Sequence, residues 1–236
     1  MLEELKEQVC RANLSLAEEG LVFQSWGNAS GCDRRRGLVV IKPSGMPCRD
    51  MTPERMVVVS LADGKVAAGD LAPSCDTPTH LVLYRALADV GGIVHTHSLY
   101  ATAWAQARRS IEPYGTTHAD YFHGSVPATR PLRPEETAAD YEANTGRVIV
   151  ETLAGCKAKA LDTPGILVAE HGPFAWGATP IEAADNAAVL ERIAMLASLT
   201  LGIAPDAAPI SQALLDRHFL RKHGKSAYYG QRRNQE

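Results

Sequence analysis

In the opening segment Leu2, Leu5, Val9, Ala12 and Leu16 recur at steps of three and four. That spacing gathers them on one face of a helix, and Gly20 is the residue able to close it. Farther along, the apolar positions come instead in short β-branched runs at Leu38–Ile41, Met56–Ser60, Gly91–Val94, Arg147–Val150 and Gly165–Ala169, each bounded by Gly, Pro, Asp or Ser. These predict strands. Helices are predicted between them at Thr77–Ala88 behind Asp76 as cap, at Ala101–Ala107, and at Pro180–Leu201, where Thr179 and Pro180 supply an N-cap and a first-turn proline. Several of the strands are apolar throughout rather than alternating, so helices must cover the sheet on both faces, an α/β arrangement.

No Ser/Gly/Pro-rich linker divides the chain and no self-similar period is visible, which predicts one domain over residues 1–236. From Arg217 to Arg233 the character changes to basic, with Tyr228 and Tyr229 adjacent. Residues 217–236 therefore read as a C-terminal tail that reaches a partner. The longest apolar run, Ile193–Ala204, falls short of the roughly 20 residues that span a bilayer, and reads as a buried helix.

Composition narrows the chemistry. At 236 residues the chain can bury a core without a metal or disulfide as staple. Its 45% hydrophobic and 22% charged residues are those of a packed domain, so disorder is not expected. A formal charge of −3 gives no general attraction to polyanions, which argues against broad nucleic-acid binding. The five cysteines are odd in number, scattered, and contain no C-x-x-C pair; a reducing cytoplasm suits them. The acidic start has no apolar h-region, so neither a signal peptide nor membrane association is expected.

Against this background the histidines stand out. His95 and His97 lie at i and i+2 at the end of an apolar strand, where a period of two points both imidazoles to one face. His171 follows a second apolar strand and precedes Gly172-Pro173, where a sharp turn is expected. Three neutral imidazoles on Zn²⁺ or a similar divalent ion leave a coordination position open, the arrangement of a catalytic site. Asp76 can be a fourth ligand, a base or a helix cap. Cys75 reads as an apolar filler or a backbone donor. Three loops, Trp26-Gly27-Asn28-Ala29-Ser30, Lys42-Pro43-Ser44-Gly45 and Pro73-Ser74-Cys75-Asp76, offer N–H groups, hydroxyls and one ammonium, the donors that phosphate requires.

These loops, with Asp76-Thr-Pro-Thr-His80, Gly91-Gly-Ile-Val-His-Thr-His97, Thr116-Thr-His-Ala-Asp-Tyr121, His171-Gly-Pro-Phe-Ala-Trp-Gly177 and His223-Gly-Lys-Ser-Ala-Tyr-Tyr-Gly230, occur in an order that resembles the L-ribulose-5-phosphate 4-epimerase family of the class II aldolase superfamily. The likeness runs over nearly the whole chain. It implies a three-layer α/β/α domain with a mixed, mostly antiparallel sheet, in a cytoplasmic homotetramer with active sites between subunits. It implies one zinc per subunit, with Mn²⁺ or Co²⁺ as alternatives, held by His95, His97 and His171 and completed or assisted by Asp76. Gly27, Asn28, Lys42, Ser44, Gly45, Ser74 and Cys75 fall on the family's phosphate loops, with Arg221 a further contact. Asp120 and Tyr229 match the family's acid–base pair, thought to come from a neighbouring subunit. This chain departs from the family in having Ser74-Cys75-Asp76 where relatives commonly have Ser-Ser-Asp, and in Glu170, which on a strand should face away from the metal.

The implied reaction is interconversion of L-ribulose 5-phosphate and D-xylulose 5-phosphate by metal-assisted retro-aldol cleavage and re-addition at C4. The alternative is a superfamily aldolase cleaving a 6-deoxy-ketohexose 1-phosphate such as L-fuculose 1-phosphate. A zinc hydrolase and a non-enzymatic scaffold with structural histidines are more distant readings.

Overall fold

The computed structural model describes residues 2–156, 159–224 and 227–229. Helix α1 covers Leu2–Glu18, and Gly20 closes it at a φ of +69°, with its amide and that of Leu21 donating back to Ala17 and Leu16. Among the described residues seven strands follow: β1 (Asn28–Asp33), β2 (Leu38–Ile41), β3 (Val57–Ser60), β4 (Val66–Ala68), β5 (Gly92–His95), β6 (Gly165–Val168) and β7 (Gly172–Gly177). They form one sheet in the order β4-β3-β2-β1-β5-β7-β6, and every ladder between these strands is antiparallel. The sheet is thus more uniform than the expected mixed one; the parallel pairing is an isolated bridge between Ala128 and Leu167.

The strand period of two sorts the core into layers. Val39, Ile41, Val57, Val59, Ile93, Phe174 and Trp176 point to one face, where they meet Leu81, Leu83 and Tyr84 of α2 (Thr77–Ala86) and Ile149 of α6 (Tyr141–Ala154). Ala29, Val40, Val58, Val94 and Ala175 point the other way, onto α1 and α7 (Pro180–Ile203). The result is the α/β/α sandwich. α3 (Leu99–Gln106) packs beside α7, while α4 (Thr116–Ala119) and α8 (Gln212–His223) pack against each other. A short α5 (Pro134–Ala138) precedes α6.

Several expectations need correction. Arg147–Val150 is not a strand but the middle of α6. The β-branched triplet misleads because the helical stripe Thr145, Val148 and Ile149 is buried against α2, and a Cβ on Gly146 would lie 2.8 Å from Val82. Tertiary packing overrides a local β preference here. The sharp turn expected at Gly172-Pro173 falls two residues earlier, at Glu170, whose φ is +65°; Gly172 already begins β7. β1 is not among the predicted strands because Asn-Ala-Ser-Gly-Cys-Asp has no apolar alternation. It is small because helices press on it: a Cβ on Gly31 would meet Leu5 at 2.7 Å and Pro180 at 2.8 Å.

α7 begins as expected, with Thr179 accepting from the Glu182 amide. By length and composition alone it could cross a membrane. Its buried stripe instead packs on α1, α3 and the sheet, but it is not buried all round, since Leu196, Leu199 and Ile203 are exposed. Arg217–His223 belongs to α8, which buries Leu215 and Phe219, so this part of the basic segment is a docked helix. Residues 225, 226 and 230–236 lie outside the described residues.

Candidate metal centre

β5 ends at His95, and the turn that follows carries His97 to the same side. The reversal between β6 and β7 delivers His171. Their ligand atoms lie within 4.8 Å of one another, the arrangement expected from the spacing of the histidines. His95 Nδ1 is 3.0 Å from the Pro173 carbonyl oxygen. A carbonyl only accepts, so Nδ1 carries the proton and Nε2 presents its lone pair, 3.1 Å from His97 Nε2. The ring is held further by stacking on Phe174, with centroids 4.3 Å apart.

All three imidazoles are held neutral. Burial pushes the His95 pKa well below the ordinary value, and the neighbouring His171 and His97 add to the effect. Burial also lowers His97 and His171, with the Asp76 carboxylate opposing it in both. Neutral, converging imidazoles, with the His95 tautomer fixed by Pro173, fit a divalent cation.

Asp76 does not cap α2. Its side chain makes no cap bond, and its Oδ2 accepts from Asn28 Nδ2 at 2.6 Å. The same Asn28 amide donates to Ser74 Oγ at 3.1 Å. Gly27 is required at its position: its φ is +105°, and a Cβ there would lie 2.8 Å from the His95 carbonyl oxygen. The two remaining loops are zipped together, with Ser44 N donating to Ala72 O and Ser74 N to Lys42 O. Lys42 is buried, and its Nζ donates to Ser25 O at 3.2 Å.

A cavity of about 500 Å³ joins these parts. Its wall includes the three histidines, Asp76, and every residue assigned to the phosphate loops: Gly27, Asn28, Lys42, Ser44, Gly45, Ser74 and Cys75. Cys75 is exposed on this wall, not a buried filler. Partial burial, Asp76 and Glu142 push its thiol up, so at neutral pH it is no thiolate ligand. Glu170 turns away and pairs with Arg108.

Three further residues of the wall stand beside the histidines without having been expected to act there. Tyr141 places its hydroxyl 3.3 Å from His171 Nδ1, Glu142 follows it at the start of α6, and Trp26 sets its ring 6.4 Å from that of His97. Trp26 is legible as part of its loop; the other two are hidden in a segment whose helical character the β-branched run disguises.

Asp120, Arg221 and Tyr229 do not line this cavity. They form a second cluster between α4 and α8. Arg221 Nη2 donates to both oxygens of Asp120 at 2.9 Å, His218 Nδ1 is 3.0 Å away, and Lys222 is within 3.5 Å. The Tyr229 ring lies 4.8 Å from the Arg221 guanidinium and 4.7 Å from the Lys222 ammonium.

The family model described as Class II Aldolase and Adducin N-terminal domain matches residues 7–198. The chain is 53% identical over 231 residues, 98% of its own length and 100% of the relative's, to L-ribulose-5-phosphate 4-epimerase UlaF of Salmonella paratyphi C. Among solved structures it is similar to an L-fuculose 1-phosphate aldolase, with a TM-score of 0.76 and 21% identity over 91% of this chain and 94% of that one. It is also similar to the L-fuculose-1-phosphate aldolase of Thermus thermophilus, with a TM-score of 0.67 and 22% identity over 88% of this chain and 100% of that one. At those identities the two structures speak for the fold. Sequence match, sheet order and histidine triad agree: the chain belongs to the class II aldolase family.

Proposed function

We propose that the protein is a metal-dependent L-ribulose-5-phosphate 4-epimerase, working as a homotetramer in the cytoplasm and interconverting L-ribulose 5-phosphate and D-xylulose 5-phosphate by inversion at C4. The observation that carries this reading is one cavity with two kinds of wall. Neutral His95, His97 and His171 converge on one side, and the small-residue loops of Asn28, Lys42, Ser44 and Ser74 present hydrogen-bond donors on the other. The 53% identity to an epimerase over nearly the full chain supports the substrate.

The three histidines would hold one divalent cation, zinc in this reading, with Asp76 assisting. When bound, it supplies Lewis-acid stabilisation of the negative charge that develops on the ketose oxygens as the C3–C4 bond breaks. The protein's own groups do the rest. Lys42 and the loop donors hold the phosphate, so the aldehyde fragment stays tethered while it rotates and is attacked on its other face. Asp120 and Tyr229, delivered by a neighbouring copy, take and return the proton of the C4 hydroxyl from opposite faces, the Asp120 carboxylate for one epimer and the Tyr229 phenolic oxygen for the other. Their clustering away from their own chain's cavity supports such an exchange between copies.

Proton NMR of metal-replete protein with L-ribulose 5-phosphate, beside a chelated sample, tests the reading. Growth of D-xylulose 5-phosphate only with metal is expected. Accumulation of a free aldehyde would make the protein an aldolase, and no change at all would remove the substrate assignment.

A further inference from the structure

Beneath the cavity lies a buried polar chain of which the proposed reaction uses only one end. Asn28 and Ser30 point to the same face of β1, and Asp76, just before α2, lies one turn ahead of His80, so two rungs connect strand and helix. One is Asn28 to Asp76. The other is Ser30 Oγ to His80 Nδ1 at 2.7 Å, and the same Ser30 oxygen lies 2.8 Å from the Tyr84 hydroxyl. Ser30, His80 and Tyr84 have no solvent exposure.

Counting protons settles the direction of the chain. Burial keeps His80 neutral, lowering its pKa to about 3. The Tyr84 hydroxyl meets Ser30 Oγ and the Ile93 backbone N–H, of which Ser30 Oγ is the one able to accept, so the Tyr84 proton goes to Ser30 Oγ and the Ser30 proton goes to His80 Nδ1. The reverse order would leave the Tyr84 proton buried without an acceptor, which costs more than the bond itself is worth. His80 therefore carries its proton on Nε2. That donor is buried with no partner among the described residues, and on the adjacent rung the buried acceptor Asn28 Oδ1 has none either. Asn28 cannot turn round to help itself, because Asp76 only accepts and holds the amide nitrogen. A single water between them, donating to Asn28 Oδ1 and accepting from His80, would satisfy both atoms.

We infer that His80 is a positioning residue of the site: its Nε2–H, through one buried water, orients the Asn28 carboxamide, whose nitrogen then holds Asp76 and Ser74 in place. The consequence rests on the proposed reaction, since Asn28 and Ser74 stand on the phosphate side of the cavity. Losing the donor loosens substrate binding, while the histidine triad, held separately by Pro173 and Phe174, keeps its metal.

The test uses the full-length protein. High-resolution diffraction without substrate is expected to show a water within hydrogen-bond reach of both atoms and a single Asn28 orientation. With L-ribulose 5-phosphate as probe, His80→Leu is expected to raise KM about tenfold, the effect of one lost buried hydrogen bond, with kcat and metal content little changed. His80→Gln, which keeps a donor at the Nε2 position, is expected to recover most of the loss. Should His80→Leu fail to fold, Ser30→Ala takes its place, removing the partner that fixes the His80 ring and raising KM in the same direction. Unchanged KM, equal loss of kcat and KM, or Gln performing no better than Leu would overturn the inference. If the native protein turns over no L-ribulose 5-phosphate, the diffraction result decides alone: no water bridging Asn28 Oδ1 and His80 Nε2 refutes it.

Discussion

Asp120 and Arg221 are 101 residues apart and joined by a forked pair of hydrogen bonds, Arg221 Nη2 reaching both carboxylate oxygens at 2.9 Å. The pair ties α8 to the turn after α4. It also places the two motifs expected to carry acid–base chemistry on one surface, with Tyr229 lying over the same guanidinium.

Removing the Tyr229 hydroxyl isolates its chemistry from its packing. In Tyr229→Phe the ring can still cover Arg221 and Lys222, so the cluster should hold. Epimerisation is expected to fall by about 10²- to 10⁴-fold, the usual worth of a general acid or base. Metal content, read by atomic absorption, should be unchanged.

His171→Ala should do the opposite. His171 sits at a turn and is partly exposed, so the fold survives. With one of three ligands gone, metal affinity in a chelator competition is expected to drop by more than about 100-fold, beyond the loss seen when an outer-shell partner is removed. Activity should fall with it.

Gly27→Ala tests the backbone. The residue lies at φ +105°, and its new methyl would press on the His95 carbonyl oxygen. Strain of about 1–3 kcal/mol is expected, read as a lower denaturant midpoint. Because that carbonyl belongs to a ligand, metal affinity should fall too.

The Asp120 cluster carries a pH signature. Burial pushes its carboxyl up, but hydrogen bonds from Arg221 and His218 and the Lys222 charge outweigh this and hold it below the ordinary range. A lowered carboxyl contributes stability that is complete above the unfolded value of about 4 and is lost as pH falls through the folded one. Thermal melts should show the native protein above Asp120→Asn near neutral pH, with the gap narrowing as the pH is lowered below the unfolded value of about 4. A constant gap would mean the ion pair adds no stability.

Much of the molecule is written locally. Leu2 to Leu16, Thr179-Pro180 and the apolar runs of β2, β3, β5 and β6 follow from periodicity and capping, forces that act within a few residues. Strand alternation predicts the facing of His95 and His97 as well, although β5 ends at His95 and His97 lies two residues beyond it. The motifs carried the family resemblance and, with it, each residue found on the cavity wall except Ser25, Tyr141 and Glu142.

What the tertiary structure decided is whatever depends on partners distant in sequence. Arg147–Val150 became helix because α2 offers a groove that fits Gly146. Asn28–Asp33 became a central strand although its side chains are small and polar, because α1 and α7 leave room for nothing larger. Asp76 left its cap for Asn28, and Asp120 found Arg221. Hydrogen bonds and close packing between residues tens of positions apart reward a conformation that no local preference announces, and the site is assembled from such contacts.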